Sequence, residues 1–164
     1  MPEPSLARET TEKDEAYAEL ERQIAAVLEG ERHPVSRMAT LACLLHERFE
    51  RFFWTGFYMV DPEQPGELVI GPYQGSLGCL RIPLGKGVCG TAAKTGETQI
   101  VADVHAFPGH IACDTRSNSE IVVPVRGADG ALIGVLDIDS EAFEAFDDTD
   151  ARWLERILAK AFEE

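Results

Sequence analysis

The sequence is short of basic residues. It holds 15 lysines and arginines against 29 aspartates and glutamates, so its formal net charge at neutral pH is −14. Proteins that bind nucleic acids or anionic membrane surfaces use clusters of lysine and arginine to contact phosphate groups. The charge balance therefore argues against both kinds of partner, and a soluble acidic surface accounts for most of it.

The sequence also lacks a long apolar stretch. No run approaches the roughly eighteen residues that span a membrane, and the first residues, Met1-Pro2-Glu3-Pro4, do not show the basic-then-apolar pattern of a signal peptide. We therefore expect a cytoplasmic protein. With 164 residues, 45% of them apolar, the chain is expected to form a single domain over residues 1–164.

Cysteine is scarce, and none of the four cysteines belongs to a Cys-x-x-Cys pair. That absence argues against a zinc ribbon and against a thioredoxin-type redox pair. The thiols of a cytoplasmic protein are kept reduced, so a disulfide between them would be transient and catalytic rather than structural.

Two further kinds of site are excluded by missing patterns. The glycine-rich residues 85–91, Gly-Lys-Gly-Val-Cys-Gly-Thr, do not follow the residue order of a nucleotide-binding P-loop. The four histidines show no paired spacing typical of metal ligands, so we predict no metal site.

Helical periodicity marks both ends of the chain. Residues 1–10 are polar with two prolines and are expected to be flexible, whereas residues 12–50 carry apolar side chains at the spacing of two helices. A third helix is predicted over residues 147–162, with Asp147 as its N-cap. Cys43 lies inside the second helix and is interpreted as a small packing residue.

Strand patterns fill residues 52–139. The predicted strands are Phe52–Val60, Glu67–Gly71, Leu80–Pro83, Thr98–Val101, Glu120–Val125 and Ala131–Ile138, with a short helix at Gly87–Thr95 and a long irregular loop at 103–118. Most of these strands are joined as hairpins. The pattern predicts an α+β fold with a central antiparallel sheet, the N- and C-terminal helices on one face and the long loops, which carry the site, on the other.

Cys113 lies in the long loop, close to the turn residues Pro108 and Gly109. His110 and Arg116, each three positions away, would favour its thiolate form. An inert, partly buried thiol is an equally good interpretation of this feature alone.

Cys79 and Cys89 precede the long loop in turn-rich sequence. A sulfenic acid on Cys113 would need a second thiol to return to the reduced state, and either of these two could supply it. Cys89 lies at a predicted helix start, which favours a packing role for it.

Acidic and aromatic residues interrupt the strands in a regular way. Asp137 and Asp139 share one face of a strand, and Glu120 begins the neighbouring strand, so the three acids can converge on one pocket. The alternative is a strand end that emerges into solvent. Trp54 and Tyr58 also share a face; they are either ordinary core residues or an aromatic wall for a methyl or thioether group.

Seven short segments within residues 35–162 match the motifs of one known protein family. They are Trp54–Tyr58, Gly71–Gly75 ahead of Cys79, Gly87–Thr91, Asp103–Phe107, Gly109–Asp114, Ser117–Val122 and Gly134–Ser140. In these segments the sequence resembles the free methionine-(R)-sulfoxide reductases, which are GAF-domain proteins. It departs from the family at Phe53, where asparagine is more common.

The resemblance implies a thiol oxidoreductase that acts in oxidative stress. Such an enzyme reduces free L-methionine-(R)-sulfoxide to L-methionine, is cytoplasmic and homodimeric, and needs no cofactor. By this resemblance Cys113 would attack the sulfoxide sulfur and Cys79 would resolve the sulfenic acid. Cys89 would exchange with the resulting disulfide, and thioredoxin would regenerate the thiols.

The resemblance also assigns the substrate pocket. Glu120, Asp137 and Asp139 would bind the substrate ammonium group and polarise or protonate the sulfoxide oxygen. Trp54 and Tyr58 would line the pocket at the methyl-bearing end. Asp103 belongs to the matching segments without an evident role.

Two other functions remain open at this point. The chain can be a GAF module that senses a small ligand without catalysis, or a thiol redox sensor in which Cys79 and Cys113 form a regulatory disulfide. The resting disulfide is also open, because either Cys79 or Cys89 can pair with Cys113.

Overall fold

The computed structural model describes the backbone of residues 4–164 and the side chains from Glu12 onward. Of the segment expected to be flexible, residues 1–3 lie outside the described residues, and the first helix already begins at Pro4. The helices are α1 (Pro4–Val27), α2 (Pro34–Arg48), α3 (Gly87–Thr95) and α4 (Asp148–Phe162). The strands are β1 (Trp54–Val60), β2 (Glu67–Gln74), β3 (Arg81–Pro83), β4 (Gln99–Val101), β5 (Ser119–Arg126) and β6 (Leu132–Ser140).

The six strands form one sheet in the order β3-β2-β1-β6-β5-β4, and every neighbouring pair is antiparallel. The predicted α+β fold with a central antiparallel sheet is therefore confirmed. Side chains alternate between the two faces of each strand, so each face has its own core. Phe57, Leu136 and Ile121 lie on one face, and Tyr58, Val135 and Val122 on the other.

Helices α1, α2 and α4 cover the first face. Each carries an apolar stripe at helical spacing, and in α4 that stripe includes Leu154, Ile157 and Leu158, all of which are buried. Among the residues that the structure describes, no helix combines the length and apolar character needed to cross a membrane. The helices instead direct their apolar sides at the sheet.

The short helix α3 and the connecting loops cover the opposite face. Gly90 in α3 lies so close to the backbone at Pro83 that an added Cβ would overlap the carbonyl oxygen of Pro83. Gly96 ends the helix with φ of +70°, a left-handed conformation that glycine adopts without a steric penalty. This thin layer of loops and one short helix leaves space over the sheet for a pocket.

Strands β2, β5 and β6 run further than the sequence predicts. Strand β2 continues past Gly71 to Gln74, where Gly56 of β1 pairs with Tyr73. An added Cβ at Gly56 would overlap the Cβ of Tyr73 and lie 2.7 Å from the Trp54 ring. The glycine at position 56 thus allows the large side chains of Trp54 and Tyr73 to pack across the sheet.

A buried carboxylate ties the helical layer together. Asp150, in the first turn of α4, has no exposed side-chain surface. It accepts hydrogen bonds from Tyr17 Oη at 2.6 Å, Lys13 Nζ at 2.8 Å and Arg51 Nη2 at 2.6 Å. Asp150 and Asp147 also form a capping box at the start of α4. Asp147 is the N-cap of this helix, as predicted. One residue thereby joins α1, α4 and the segment after α2.

We expect Asp150→Asn to lower the free energy of unfolding by about 3 kcal/mol at pH 7, because it leaves the partly buried Lys13 and Arg51 without their counter-charge. Burial opposes ionisation, but hydrogen bonds from Lys13 and Tyr17 outweigh it and hold the pKa of Asp150 below its usual value. The carboxylate therefore contributes stability above about pH 4 and loses it as the pH falls through the folded-state pKa. Urea denaturation from pH 3 to pH 7 measures the difference.

Asp148→Asn is the matched control, because Asp148 lies in the same helical turn and is exposed. It should change stability by less than about 0.5 kcal/mol at every pH. Equal effects of the two substitutions, or a pH-independent effect of Asp150→Asn, would contradict the role assigned to the buried carboxylate.

Candidate active site

The strand register collects the predicted acids and aromatics on the loop-covered face of the sheet. Asp139 of β6 pairs with Trp54 on one side and with Glu120 on the other. Two residues further along, Asp137 lies on the same face, as does Tyr58 of β1. All five side chains line a single pocket. The structure thus brings together the residues that the sequence pattern placed on shared strand faces.

The acids lie in a site from which water is largely excluded. Glu120 and Asp137 are only 5% and 6% exposed. Burial and the nearby Asp139 carboxylate raise the pKa of Glu120 to about 8. Burial raises the pKa of Asp137 well above its usual value, and the neighbouring Glu120 raises it further. Burial also raises the pKa of Asp139 well above its usual value, and there the second cause is Asp137. The raised pKa of Glu120 lies above neutral pH, so this carboxyl group is available as a proton donor.

The acid cluster has little positive charge around it. In the described part of the chain its only ion-pair partner is His110, whose Nε2 lies 3.4 Å from Glu120 Oε2. Burial lowers the pKa of His110, which weakens that pair at neutral pH. Oδ1 of Asp137 is buried and has no hydrogen-bond partner among the described residues. A buried polar atom without a partner is costly, which makes the pocket receptive to a cation.

Two of the three candidate cysteines are bonded to each other. Cys79 and Cys113 form a disulfide with a Cα–Cα distance of 5.5 Å. Cys113 is exposed, so the bond is accessible from solvent. Of the two pairings that the sequence leaves open, the structure contains the one with Cys79.

Cys89 has a free thiol and is buried in α3 against the acids. Burial raises the pKa of this thiol, and the charges of Asp137 and Glu120 raise it further, so the thiol is held in its neutral form. The remaining cysteine, Cys43, lies in α2 and does not line the pocket. Cys89 combines the packing role that its helix start indicated with a position in the pocket wall.

Hydrogen bonds link the loops that carry the two bonded cysteines. Trp54 Nε1 donates to the carbonyl oxygen of Ser76 at 2.8 Å, and Ser76 Oγ donates to Asp114 Oδ2 at 2.7 Å. Arg116 donates to both oxygens of Asp114 and holds the pKa of that carboxyl well below its usual range. Its guanidinium lies 4.6 Å from the centroid of the Phe53 ring. The Arg116 charge, expected to activate Cys113, is therefore paired with Asp114.

The aromatic wall is built on Trp54. Its ring stacks on Tyr58 and Tyr73, with centroid separations of 5.8 Å and 5.2 Å. Gly78, next to Cys79, makes room for this stack, because an added Cβ would lie 2.9 Å from the Trp54 ring and 3.2 Å from Tyr58 Oη. Trp54 and Tyr58 are thus both core residues and pocket residues, and the two interpretations of them are compatible.

Sequence reasoning missed some contacts and left one residue unassigned. The contact of His110 with Glu120 crosses from the loop to the sheet, and no periodic pattern signals it. Ser76 and Asp114 were given no role in linking the loops, although the position of Asp114 next to the candidate cysteine was a signal. Asp103 caps the short 3-10 turn Val104–Ala106 by accepting from the backbone N–H of His105 at 2.9 Å. Its role is therefore to shape the loop.

Comparison with known proteins identifies the fold and the family. A GAF-domain model matches residues 34–161. The chain is 48% identical to GAF domain-containing protein A of Dictyostelium discoideum over 146 residues, 89% of this chain and 90% of that protein. It is 45% identical to the free methionine-R-sulfoxide reductase of Escherichia coli over 148 residues, 90% of this chain and 87% of the relative. The chain belongs to the free methionine-(R)-sulfoxide reductase family of GAF-domain proteins.

A solved relative extends the likeness to three dimensions. The free methionine-R-sulfoxide reductase of Neisseria meningitidis, determined in complex with its substrate, superposes with a TM-score of 0.84 at 50% identity. The match covers 90% of this chain and 86% of that one. The family resemblance seen in the sequence segments is confirmed. A GAF fold alone does not define an activity, so the argument for function rests on the pocket.

We expect Glu120→Gln to stabilise the empty protein at high pH relative to the wild type. The folded state keeps the Glu120 proton up to about pH 8, whereas an unfolded glutamate loses it near pH 4.3. Raising the pH between these values deprotonates only the unfolded chain, so wild-type stability falls across this window. Glutamine removes that loss, which is worth on the order of 5 kcal/mol above pH 8, since the two pKa values differ by nearly four units.

Urea denaturation of the disulfide-bonded protein at pH 5, 7 and 9 measures this effect. Glu97→Gln, at an exposed position, is the control and should leave the pH profile of the wild type unchanged. A Glu120→Gln variant whose advantage does not grow with pH would show that Glu120 is ionised in the empty pocket.

Proposed function

We propose that this protein reduces free L-methionine-(R)-sulfoxide to L-methionine by thiol chemistry. The observation that carries the proposal is the accessible Cys79–Cys113 disulfide at a pocket that also contains three acids and an aromatic wall. A ligand sensor needs no such pair of cysteines. Relatives at 45% and 50% identity bear the name of this activity, which supports the same conclusion.

The reaction uses two thiols and transfers two electrons. The Cys113 sulfur attacks the sulfoxide sulfur, the oxygen passes from that sulfur to the Cys113 sulfur, and the transient S–S bond breaks, so that methionine departs and Cys113 is left as a sulfenic acid. The Cys79 thiol then attacks the sulfenic sulfur, which forms the disulfide and releases the oxygen as water. Two thiol hydrogens leave in that water, so the sulfoxide is reduced as the two cysteines are oxidised.

The acids serve two purposes in this scheme. A protonated carboxyl in the cluster can donate to the sulfoxide oxygen, which polarises the S–O bond and makes the sulfoxide sulfur a better electrophile. An ionised carboxylate pairs with the substrate ammonium group, which supplies the cation that the pocket lacks. Glu120, Asp137 and Asp139 share these roles, and the aromatic rings of Trp54 and Tyr58 contact the methyl-bearing sulfur.

This arrangement favours the free amino acid over methionine in a polypeptide. A residue inside a chain has an amide in place of the ammonium group. It would leave the acids without a counter-charge and place a neutral group in a buried polar site, at an energetic cost. Selectivity for the free amino acid follows from electrostatics as well as from the small size of the pocket.

Turnover requires a reductant that reopens the disulfide, and we propose thioredoxin. Cys113 is exposed, and Leu77 and Leu80 beside Cys79 are 79% and 71% exposed, which offers apolar contacts to a protein reductant. Cys89 can exchange with the disulfide if the pocket wall opens, because its thiol is buried in the closed state. We also propose a cytoplasmic homodimer, as the family resemblance implies.

We expect the purified protein to reduce the R epimer of free methionine sulfoxide with dithiothreitol or thioredoxin, and to leave the S epimer unchanged. Cys113→Ser should abolish turnover by at least about 10³-fold, because serine is a far weaker nucleophile. Cys43→Ser is the matched control and should retain full activity. Chromatography of the amino acid products measures both.

Three outcomes of this assay decide between the competing functions. Normal turnover by Cys113→Ser would refute the assigned nucleophile, and absence of turnover by the wild type would favour a ligand sensor or a redox sensor. In Cys79→Ser we expect a sulfenic acid or a Cys89–Cys113 bond and poor recycling by thioredoxin. Mass spectrometry showing an unchanged cycle in that variant would contradict the resolving role of Cys79.

The acids should determine which substrates are accepted. We expect N-acetyl-methionine-(R)-sulfoxide to be reduced at least about 100-fold less efficiently than the free amino acid, since it lacks the ammonium group. Asp139→Asn should lower kcat/KM for the free amino acid by about 10–100-fold, corresponding to one lost charge-assisted contact of about 1.5–3 kcal/mol.

Steady-state kinetics with both substrates provide the test. Asp129→Asn, in the exposed turn between β5 and β6, is the control and should leave both rates unchanged. Equal rates for the free and the acetylated substrate in the wild type would rule out recognition of the ammonium group by the acids.

A further inference from the structure

The pocket contains a cluster of metal-ligating atoms with unusual chemistry. Cys89, Glu120 and Asp137 each offer one ligand atom, and these three atoms lie within 4.8 Å of one another. The set consists of one sulfur and two carboxylate oxygens. All three residues are buried, so the cluster differs from the exposed acidic groups that are common on protein surfaces.

A second observation is that one oxygen of Asp137 has no partner in the described part of the chain, while the carboxyl group is otherwise hydrogen-bonded to Glu120 and Cys89, the other two members of the cluster. Asp137 is 6% exposed, and its Oδ1 has no hydrogen-bond partner among the described residues. Among the same residues, no lysine or arginine forms an ion pair with Glu120 or Asp137, and His110 is the only basic side chain at the cluster. Buried carboxylates are normally paired or bind a metal ion.

We propose that Cys89, Glu120 and Asp137 form a binding site for a divalent cation that accepts both sulfur and oxygen ligands, with Zn²⁺ and Cd²⁺ as its representatives. Zinc binds cysteine sulfur at about 2.3 Å and carboxylate oxygen at about 2.0–2.2 Å, so its ligands lie about 3.5 Å apart in a tetrahedral site. The observed spacing of up to 4.8 Å needs a contraction of about 1 Å.

The ligand types also decide which ions fit. A thiolate ligand selects ions such as Zn²⁺ and Cd²⁺ over Mg²⁺, which requires oxygen ligands in near-ideal octahedral geometry. The Nε2 atom of His110, 3.4 Å from Glu120 Oε2, is placed to support the ligand or to approach the fourth position. The cysteine is therefore the residue that makes the site selective.

The disulfide-bonded protein allows a direct test, because Cys79 and Cys113 cannot act as ligands in it. In the wild type only Cys43 and Cys89 are then free. We expect competition against a chromophoric chelator to show Zn²⁺ binding that weakens at least tenfold in Cys89→Ser and in Asp137→Asn. Cys43→Ser should bind as the wild type does, and Mg²⁺ at the same concentration should not compete.

Cadmium gives a spectroscopic readout that does not depend on the folding of the Cys89→Ser and Asp137→Asn variants. In the Cys43→Ser protein, Cys89 is the only thiol left free, so an ultraviolet cadmium–thiolate charge-transfer band must arise from it. We expect one equivalent of Cd²⁺ to saturate that band. A missing band, or Zn²⁺ binding that is equally strong in a folded Cys89→Ser variant, would overturn the proposal.

Occupation of the site has a consequence for the reaction, and this consequence rests on the proposed function. The cation would lie where the acids receive the substrate ammonium group, so saturating L-methionine should weaken Zn²⁺ binding at least tenfold. Zn²⁺ binding that methionine does not affect would contradict the ammonium assignment and leave the metal site intact. Absence of Zn²⁺ binding would overturn the metal site and leave the turnover assay to judge the proposed function.

Discussion

The structure depends on a sheet face that buries acids without a built-in cation. Strand pairing places Glu120 of β5 opposite Asp139 of β6, and Asp137 lies two residues before Asp139 in β6. Hydrophobic packing on the other face holds these strands in register, since a slip by one residue would move the acids into the apolar core under the helices. Hydrophobic packing on the helical face therefore offsets the unfavourable free energy of burying the acids.

Asp150 shows how the same protein stabilises a buried acid with its own side chains. Asp150 is as deeply buried as Asp137, but Lys13, Arg51 and Tyr17 surround it, and its pKa is lowered. The pKa of Asp137 is raised because burial is not offset by fixed cations. The two carboxylates therefore differ in their surroundings: Asp150 is paired with fixed cations, whereas Asp137 lies among other acids in the pocket wall.

Much of this arrangement was predictable from the sequence because strands have a two-residue period. That period alone places Asp137 with Asp139 and Trp54 with Tyr58, and the Asp-Gly turn between β5 and β6 aligns Glu120 with them. The glycines near β1 and β2 were harder to interpret. Gly56 and Gly78 lie where large rings pass over the backbone, and a sequence pattern does not distinguish such a glycine from a turn glycine.

Contacts between segments far apart in the chain could not be predicted in this way. The ion pair of His110 with Glu120, the Ser76–Asp114 hydrogen bond and the Asp150 cluster each join residues that no local period relates. The Cys79–Cys113 pairing is of the same kind, since the spacing of the cysteines left a Cys89–Cys113 bond open as well. The structure separates the two thiols by environment. Cys89 is buried beside the acids, where burial raises the pKa of its thiol, whereas the Cys79 loop is linked to the Cys113 loop through Asp114.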